Sequence, residues 1–407
     1  MPAAADVAII GAGASGLACG ICCARAGKTV VIFEKEIIPA RKILITGNGR
    51  CNFTNTAAAP DKYFEAAAFA APALQNFTPK DCIDFFASTG LLYTEEAGGR
   101  CFPITGKASS AADCLINAFA AAGGEIKLKT EIVKISGQNN FFKMQTAGGE
   151  DFEAAKVVLA CGGAAWPQAG GSAKGYDLAR RLGHVITPLG FGLSPVNLKE
   201  KPALKRLAGL RVYANALLQD AAGKTIDAEE GEVIFGREGV SGNNILSISR
   251  NARAGHKLIL DWLPRMGAAE FESFMRARLE AMAGLSVKNF LAGILADNAA
   301  NLLTDFLGVQ KNTTAGALKP DIFARIIKTI KAWPFTVEAL RGGTEACITR
   351  GGVARDGVDG NTMQSKITSG LYITGELLDV DGRCGGYNLH FAWASGVLAA
   401  KAINGEK

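Results

Sequence analysis

Six residues near the start of the chain, Gly11-Ala12-Gly13-Ala14-Ser15-Gly16, limit what it can fold into more than any other stretch. They form a full GxGxxG, and readable elements flank them on both sides. Asp6 to Ile10 is a short apolar run bounded by glycine, which predicts a buried parallel strand. Leu17 to Ala26 reads as a helix of small and apolar residues with Gly27 as its C-cap. Thr29 to Phe33 is a second buried strand, and it ends on Glu34. Each part has a physical task. Gly11 permits a tight turn, Gly13 lets a pyrophosphate approach the backbone, and Gly16 lets the helix pack close to the strand. The helix start, at Ala14 and Ser15, offers unpaired N–H groups and a partial positive charge to phosphates. Glu34 is placed to accept hydrogen bonds from ribose hydroxyls, which argues against a 2′-phosphate. The unit predicts dinucleotide binding. By itself it does not separate FAD from NAD; its place at the N-terminus of a long chain favours FAD.

The run Val7 to Ala24 carries no charge and could be scored as a membrane span. No basic segment precedes it, and Gly11, Gly13, Gly16 and Gly20 interrupt it, so no membrane role is expected. Apolar residues at 48% and charged residues at 20% place the 407-residue chain among soluble globular proteins with more than one domain. Glycine is in excess, 49 residues, which asks for many tight turns or close ligand approaches. The net charge of +6 includes no dense basic block; Lys199 to Arg211 reads as a solvated face, and no nucleic-acid partner is expected. Ten cysteines are irregularly spaced and there are three histidines, His184, His256 and His390, so no metal site is expected. Cys19 and Cys22 have redox spacing but lie inside the expected helix. The reading is of a reduced, cytoplasmic protein.

Residues 40–55, from Ala40 to Asn55, are too polar and glycine-rich for a core strand and read as a long ordered loop, of the kind that carries function. Arg41 and Lys42 can meet phosphate charge. Gly47 to Asn52 offers backbone N–H groups, two amides and a guanidinium in close succession.

These segments resemble the BaiN/RdsA-like family of FAD-dependent (NAD(P)/FAD) oxidoreductases. The match runs through Arg41-Lys42 and Thr46-Gly47-Asn48-Gly49-Arg50-Cys51-Asn52, then Gly99 to Pro103 with Lys107, Leu159 to Gly163, Gly170 to Tyr176, Thr362 to Lys366, and Gly375 to Gly382 followed by Gly385 to Leu389. The resemblance implies an α/β fold: a glutathione-reductase-like FAD-binding Rossmann domain, discontinuous over 1–190 and 341–407. Residues 191–340 would be an inserted α+β substrate or cap domain, β-rich over 191–262 and helical over 268–340. It implies that Glu34 and Lys35 hold the adenosine ribose, and that Val133 contacts adenine through its backbone. Arg41, Lys42 and Asn48, Gly49, Arg50, Cys51 and Asn52 would line pyrophosphate and flavin, beside the strand end Ala160-Cys161-Gly162. Gly375, Glu376, Gly386, Tyr387, Asn388 and Leu389 would bind the ribityl chain and flavin ring. The chain departs from the family pattern at Cys161, Ala173-Lys174, Gln364 and His390, and within Phe235 to Asn243.

Expected strands in the first domain include a meander of Glu125–Lys134, Phe141–Thr146 and Asp151–Leu159. In the second, strands are expected at Arg211–Leu218, Thr225–Ala228, Glu232–Phe235 and Lys257–Leu260, and helices at Glu270–Ala283, Val287–Leu295 and Pro320–Lys331. Asn388 to Ile403 reads as an apolar helix whose N-terminus would stabilise charge on a flavin.

Family resemblance points to hydride passing through flavin N5 to or from an organic substrate at the domain interface. Two substrate classes follow: a conjugated enone of the 3-dehydro-bile-acid Δ4,6 type, or a small amine such as aminoacetone. There is no second GxGxxG, so NADH or NADPH would be a transient reductant. Candidates for acid–base or charge-partner roles are Arg100, Lys107, Tyr387 and His390, with Arg50 beside them. An RNA-associated flavoprotein and a non-catalytic flavin sensor are the alternatives. The oligomeric state is not readable.

Overall fold

The computed structural model describes residues 5–138, 141–310 and 312–406. The apolar run becomes strand β1 (Ala5–Ile10), with every residue buried except Asp6. Complete burial is expected of a central parallel strand covered on both faces. It leads into helix α1 (Ala14–Arg25) and then β2 (Val30–Phe33), which pairs parallel with β1 from Val7↔Val30 to Ile10↔Phe33. Gly27, at φ +81°, ends the helix as expected.

Strand β3 (Thr54–Asn55) joins β4 (Tyr93–Glu96) and β5 (Arg100–Pro103) in a small antiparallel sheet with β5 in the middle. After a helix at Ala108–Ala121 the chain returns to the main sheet as β6 (Glu125–Lys127), β7 (Ile132–Gln138), β8 (Phe141–Thr146) and β9 (Asp151–Leu159). The sheet order is β6-β2-β1-β9-β8-β7, and Leu371–Ile373 adds a parallel partner to the end of β9. The expected meander needs one correction. Glu125–Lys127 does not pair with β8; it pairs parallel with β2 at the far edge. Lys129, at φ +54°, lies in the turn between β6 and β7, which run in the same direction on opposite edges of the sheet, and the meander is β7-β8-β9.

The C-terminal helix Tyr387–Asn404 covers α1 at backbone distance. A Cβ on Gly396 would stand 2.3 Å from the Ser15 carbonyl oxygen. On the other side of α1, a Cβ on Gly20 would stand 2.9 Å from the Phe119 ring. Small residues in α1 are therefore a packing requirement, which explains the weakly amphipathic, alanine- and glycine-rich composition of that helix.

The chain divides into two units, Met1–Gly192 with Gly343–Lys407, and Leu193–Gly342. Each has its own buried apolar core. The second unit is a closed six-stranded barrel of Val196–Leu198, Arg211–Gln219, Thr225–Phe235, Gly239–Ser241, Lys257–Asp261 and Trp333–Leu340. Closure leaves no unpaired strand edge. Two expectations differ here. Thr225–Phe235 is one strand rather than two. The segment read as helical ends in a strand, Trp333–Leu340, because Trp333, Phe335 and Val337 alternate inward and close the barrel against Val196–Leu198 and Lys257–Asp261. The helix expected at Val287–Leu295 also ends earlier, at Leu291, and a further helix spans Asp297–Phe306. Among the described residues, no helix is long and apolar enough to cross a membrane.

Candidate functional site

The turn between β1 and α1 is held by geometry that only glycine satisfies. Gly11 has φ +110°, and a Cβ there would lie 2.5 Å from the Ala160 carbonyl oxygen at the end of β9. A Cβ on Gly16 would lie 2.0 Å from the Gly11 carbonyl oxygen. Gly13 differs: nothing stands within 4 Å of a Cβ placed on it, so its face is open to a ligand. Behind it, α1 starts without a side-chain cap and without an acid in its first turn. Its N–H groups and positive end therefore face that opening.

Glu34 closes the turn from the side. Its carboxylate accepts the Ala12 N–H at 2.8 Å and the Glu36 N–H at 2.9 Å, which fixes it beside the glycine loop. The loop after β2 is tied to the same place, since Ala40 (φ +58°) donates its N–H to the Ala12 carbonyl at 2.8 Å. Arg41 and Lys42 follow, each with a carboxylate partner: Arg41 with Glu36 and Lys42 with Glu376, both at 2.6 Å. Glu376 also accepts the Thr349 N–H at 2.8 Å. Gly375 (φ +67°) lies on Ser15, and its N–H donates to Ser395 Oγ at 3.0 Å.

Gly47, Asn48 and Gly49 have φ of +57°, +57° and +79°, and Cys51 has +59°. Arg50 thus stands on a left-handed turn. Non-glycine residues in this region store strain of about 1 kcal/mol or more each and recur where function fixes the backbone. Asn52 carries its side chain from this turn to the start of the C-terminal helix. A Cβ on Gly386 would be 2.9 Å from Asn52 Oδ1 and 2.6 Å from the Thr54 carbonyl oxygen. That amide oxygen is buried without a hydrogen-bond partner. The C-terminal helix, capped by Gly386 at φ +98°, likewise has no acid in its first turn.

The adenosine end expected at Lys35 and Val133 lies just beyond the end of β2. Thr130 N–H bonds to the Glu34 carbonyl at 2.8 Å and Lys129 N–H to that of Glu36 at 3.1 Å, bringing the start of β7 alongside. The β7–β8 register skips Val133, leaving it at a bulge, and its carbonyl accepts from Arg181 at 3.1 Å. Lys35, Lys129, Glu131 and Lys174 line a cleft of about 620 Å³ there, with Lys174 paired to Glu131 at 2.7 Å.

The remaining expected residues sit in varied surroundings. Asn388 spends its amide on its own loop: Oδ1 accepts the Gly382 N–H at 2.8 Å, and Nδ2 donates to the carbonyls of Gly382 at 2.9 Å and Arg383 at 3.2 Å. It braces the Gly382–Gly386 turn. His390 is fully buried, bonded through Nδ1 to Thr54 Oγ1 at 2.8 Å, and burial pushes its pKa down to about 4. A neutral, enclosed imidazole is not a proton donor at pH 7. Burial pushes the Cys51 and Cys161 thiols up to about 12, so neither is a thiolate. Lys107 is exposed at the N-cap of the helix Ala108–Ala121. Tyr387 is almost buried and its carbonyl accepts the Tyr63 hydroxyl at 2.8 Å; Leu389 packs on the core. Three participants escaped the sequence reading: Glu36, Thr349 and Glu96, the last described below. Only Glu36 lay near enough in sequence, five residues before Arg41, to be foreseen as an ion-pair partner.

The residues fit a dinucleotide: an open glycine face, two helix starts without a side-chain cap, a fixed carboxylate and an unpartnered buried amide oxygen. Fold and site together define a flavoprotein class, an FAD-dependent oxidoreductase on a Rossmann domain. Residues 5–402 match the family described as HI0933-like protein Rossmann domain, and the chain belongs to that family. A 3-dehydro-bile acid Δ(4,6)-reductase of Clostridium scindens is 36% identical over 97% of this chain and 98% of its own. A ribosomal RNA dihydrouridine synthase of Escherichia coli is 31% identical, covering 98% of both chains. Among solved structures, 3-ketosteroid Δ1-dehydrogenase from Sterolibacterium denitrificans aligns over 99% of this chain and 100% of its own, with 13% identity and a TM-score of 0.50, a likeness of fold.

Proposed function

We propose that this oxidoreductase reduces a carbon–carbon double bond conjugated with a carbonyl group. The observation that carries the reading is the pair of relatives matched over nearly the whole chain. A Δ4,6 bile-acid reductase and a dihydrouridine synthase are named for different substrates, yet both names describe one transformation. Each saturates a C=C next to a C=O, in the steroid enone or in the uracil ring. FAD, when bound, supplies a two-electron hydride carrier at N5. The chain's own residues do the rest. The Gly11–Gly16 turn and the start of α1 bind diphosphate, Glu34 orients ribose, and the start of the C-terminal helix favours negative charge nearby. NADH or NADPH is the reductant in this reading, and the compartment is the cytoplasm.

The test follows the flavin absorbance band in anaerobic stopped-flow. The protein is mixed with NADH and then NADPH, and the reduced protein is offered a 3-oxo-Δ4,6 steroid acid, aminoacetone's oxidised imine analogue, or ribosomal RNA. Fast reoxidation by the steroid enone is the expected outcome. Reoxidation by RNA alone would transfer the reading to a uracil base, a second reading favoured by two relatives with that name. Indifference to every conjugated carbonyl would sink both.

A further inference from the structure

Next to the turn that carries Arg50, the small sheet β3-β5-β4 gathers a cluster of charged side chains. Arg50 lays its guanidinium over the Phe102 ring, 4.2 Å from the centroid, and Arg100 approaches the same ring at 5.9 Å. Both reach one carboxylate. Glu96 Oε1 accepts from Arg50 Nη2 at 2.5 Å, and Glu96 Oε2 is 3.8 Å from Arg100 Nη2. Glu95, the next acid on the strand, leans away to Thr56 Oγ1 at 3.2 Å. Two guanidinium groups therefore share one carboxylate, and the cluster keeps one positive charge in surplus.

The donors are unevenly used. Arg100 Nε–H bonds to the Ala97 carbonyl at 3.1 Å, while among the described residues its Nη groups have no hydrogen-bond acceptor. A guanidinium held over an aromatic ring presents its planar fork outward, the geometry that matches a carboxylate or phosphate. The three charged side chains are between 33% and 40% exposed, so the cluster is reachable from solvent. Glu96 stands at the end of β4, just before Gly98 and Gly99 at φ +76° and +74°, on a hairpin tip. It is the acid in the cluster best placed to give way to another anion.

The cluster is also tied to the site. Asn55, opposite Arg100 across the strands, donates its Nδ2 to the Gly385 carbonyl at 2.9 Å, next to the glycine that caps the C-terminal helix. We propose that Arg50 and Arg100, splayed over Phe102, form a binding site for an anionic oxygen group of the substrate, a carboxylate or a phosphate, which Glu96 occupies in this structure. The substrate is then an organic anion, a refinement that rests on the reading of this chain as a reductase of conjugated carbonyls. Arg100 acts as a specificity residue: it selects the charged member of a pair of otherwise alike unsaturated compounds.

The experiment is a calorimetric titration of the protein as purified with cinnamate and with its uncharged counterpart cinnamamide. FAD per chain is measured separately from the released flavin. Wild type is expected to bind cinnamate at least about tenfold more tightly than cinnamamide, the worth of one charge-assisted hydrogen bond pair. In Arg100→Ala that ratio falls to about one, with cinnamamide affinity and FAD content unchanged, and Arg100→Lys restores part of it. Glu96→Gln removes the resident competitor and tightens cinnamate several-fold, which keeps the proposal testable if Arg100→Ala does not fold. Inorganic phosphate that displaces cinnamate would assign phosphate esters to the site as well; phosphate that does not would restrict it to carboxylates. Equal affinity for the two probes in wild type, a ratio unchanged in Arg100→Ala, or no binding of cinnamate or phosphate up to roughly 10 mM would overturn it. A protein that carries no FAD but still discriminates cinnamate from cinnamamide would sink the reductase reading and leave the anion site standing.

Discussion

His390 gives the folded protein a pH signature of its own. Its folded pKa, pushed down to about 4 by burial, lies below the ordinary 6.5 of the unfolded state. The folded protein thus refuses a proton that the unfolded chain accepts. Stability from this residue is full above pH 6.5 and is lost progressively as pH falls towards 4. The loss reaches about 3 kcal/mol when both limits are spanned. Urea midpoints at pH 7.5 and pH 4.5 should therefore differ more in wild type than in His390→Gln, which keeps a polar partner for Thr54. Equal pH dependence in the two proteins would show that the imidazole is not the titrating group.

The glycines of the first turn separate fold from function at single-residue resolution. Gly16→Ala drives a Cβ against the Gly11 carbonyl oxygen, 2.0 Å away, and should cost about 2–4 kcal/mol in the apoprotein. Gly13→Ala meets nothing within 4 Å, and its φ of −90° suits alanine. Apoprotein melting should be nearly unchanged there, while FAD affinity falls because the methyl group fills the ligand face. Melting of the apoprotein and fluorescence titration with FAD measure the two effects separately. The backbone around the GxGxxG turn crowds Gly11 and Gly16 and leaves Gly13 open, in keeping with the separate tasks the motif assigns them.

At the scale of elements, the βαβ unit was legible because strand, turn, helix and strand follow one another within 30 residues. β1 and β2 pair with each other, Val7 with Val30, and their apolar patterns agree. The Gly382–Gly386 turn was legible as a site feature but not in its wiring. Asn388, expected beside the flavin, braces the turn with three hydrogen bonds. Asn388→Ala should still lower FAD retention, now through a loosened turn, together with a stability loss of about 1–3 kcal/mol. Cys22→Ser, on the partly buried face of α1, should leave FAD content unchanged. If Asn388→Ala weakened FAD with melting unaffected, a direct contact would replace the bracing role. The strand Trp333–Leu340 shows the opposite difficulty. Its alternation is clear, yet it follows four helices, and its partners lie some 75–140 residues earlier in sequence.

On the scale of the whole molecule, the second unit contains none of the residues of the glycine turn or its supporting loops. We propose that it adds to substrate choice, to which Arg50 and Arg100 of the first unit also contribute. Arg237 and Glu238 are exposed on the hairpin between Thr225–Phe235 and Gly239–Ser241, closed by the Gly236 N–H to the Gly239 carbonyl at 2.8 Å. Replacing both by Ala should leave FAD content near wild type and change kcat or KM for substrate. Loss of FAD from the double variant would contradict this division of labour.

The sequence by itself determined the Rossmann unit, the acid that follows β2, the glycine-rich loop at 46–52 and the apolar terminal helix. These are written in local patterns of residue type and in backbone conformations that few residue types allow. Tertiary structure alone decided which charged groups meet. Lys42 finds Glu376 across 334 positions, Arg50 finds Glu96 across 46, and Thr54 finds His390 across 336. A charged or polar side chain has many possible partners in sequence. Its partner is settled by where the packed sheet and helices place it, because a buried polar atom left without one is costly.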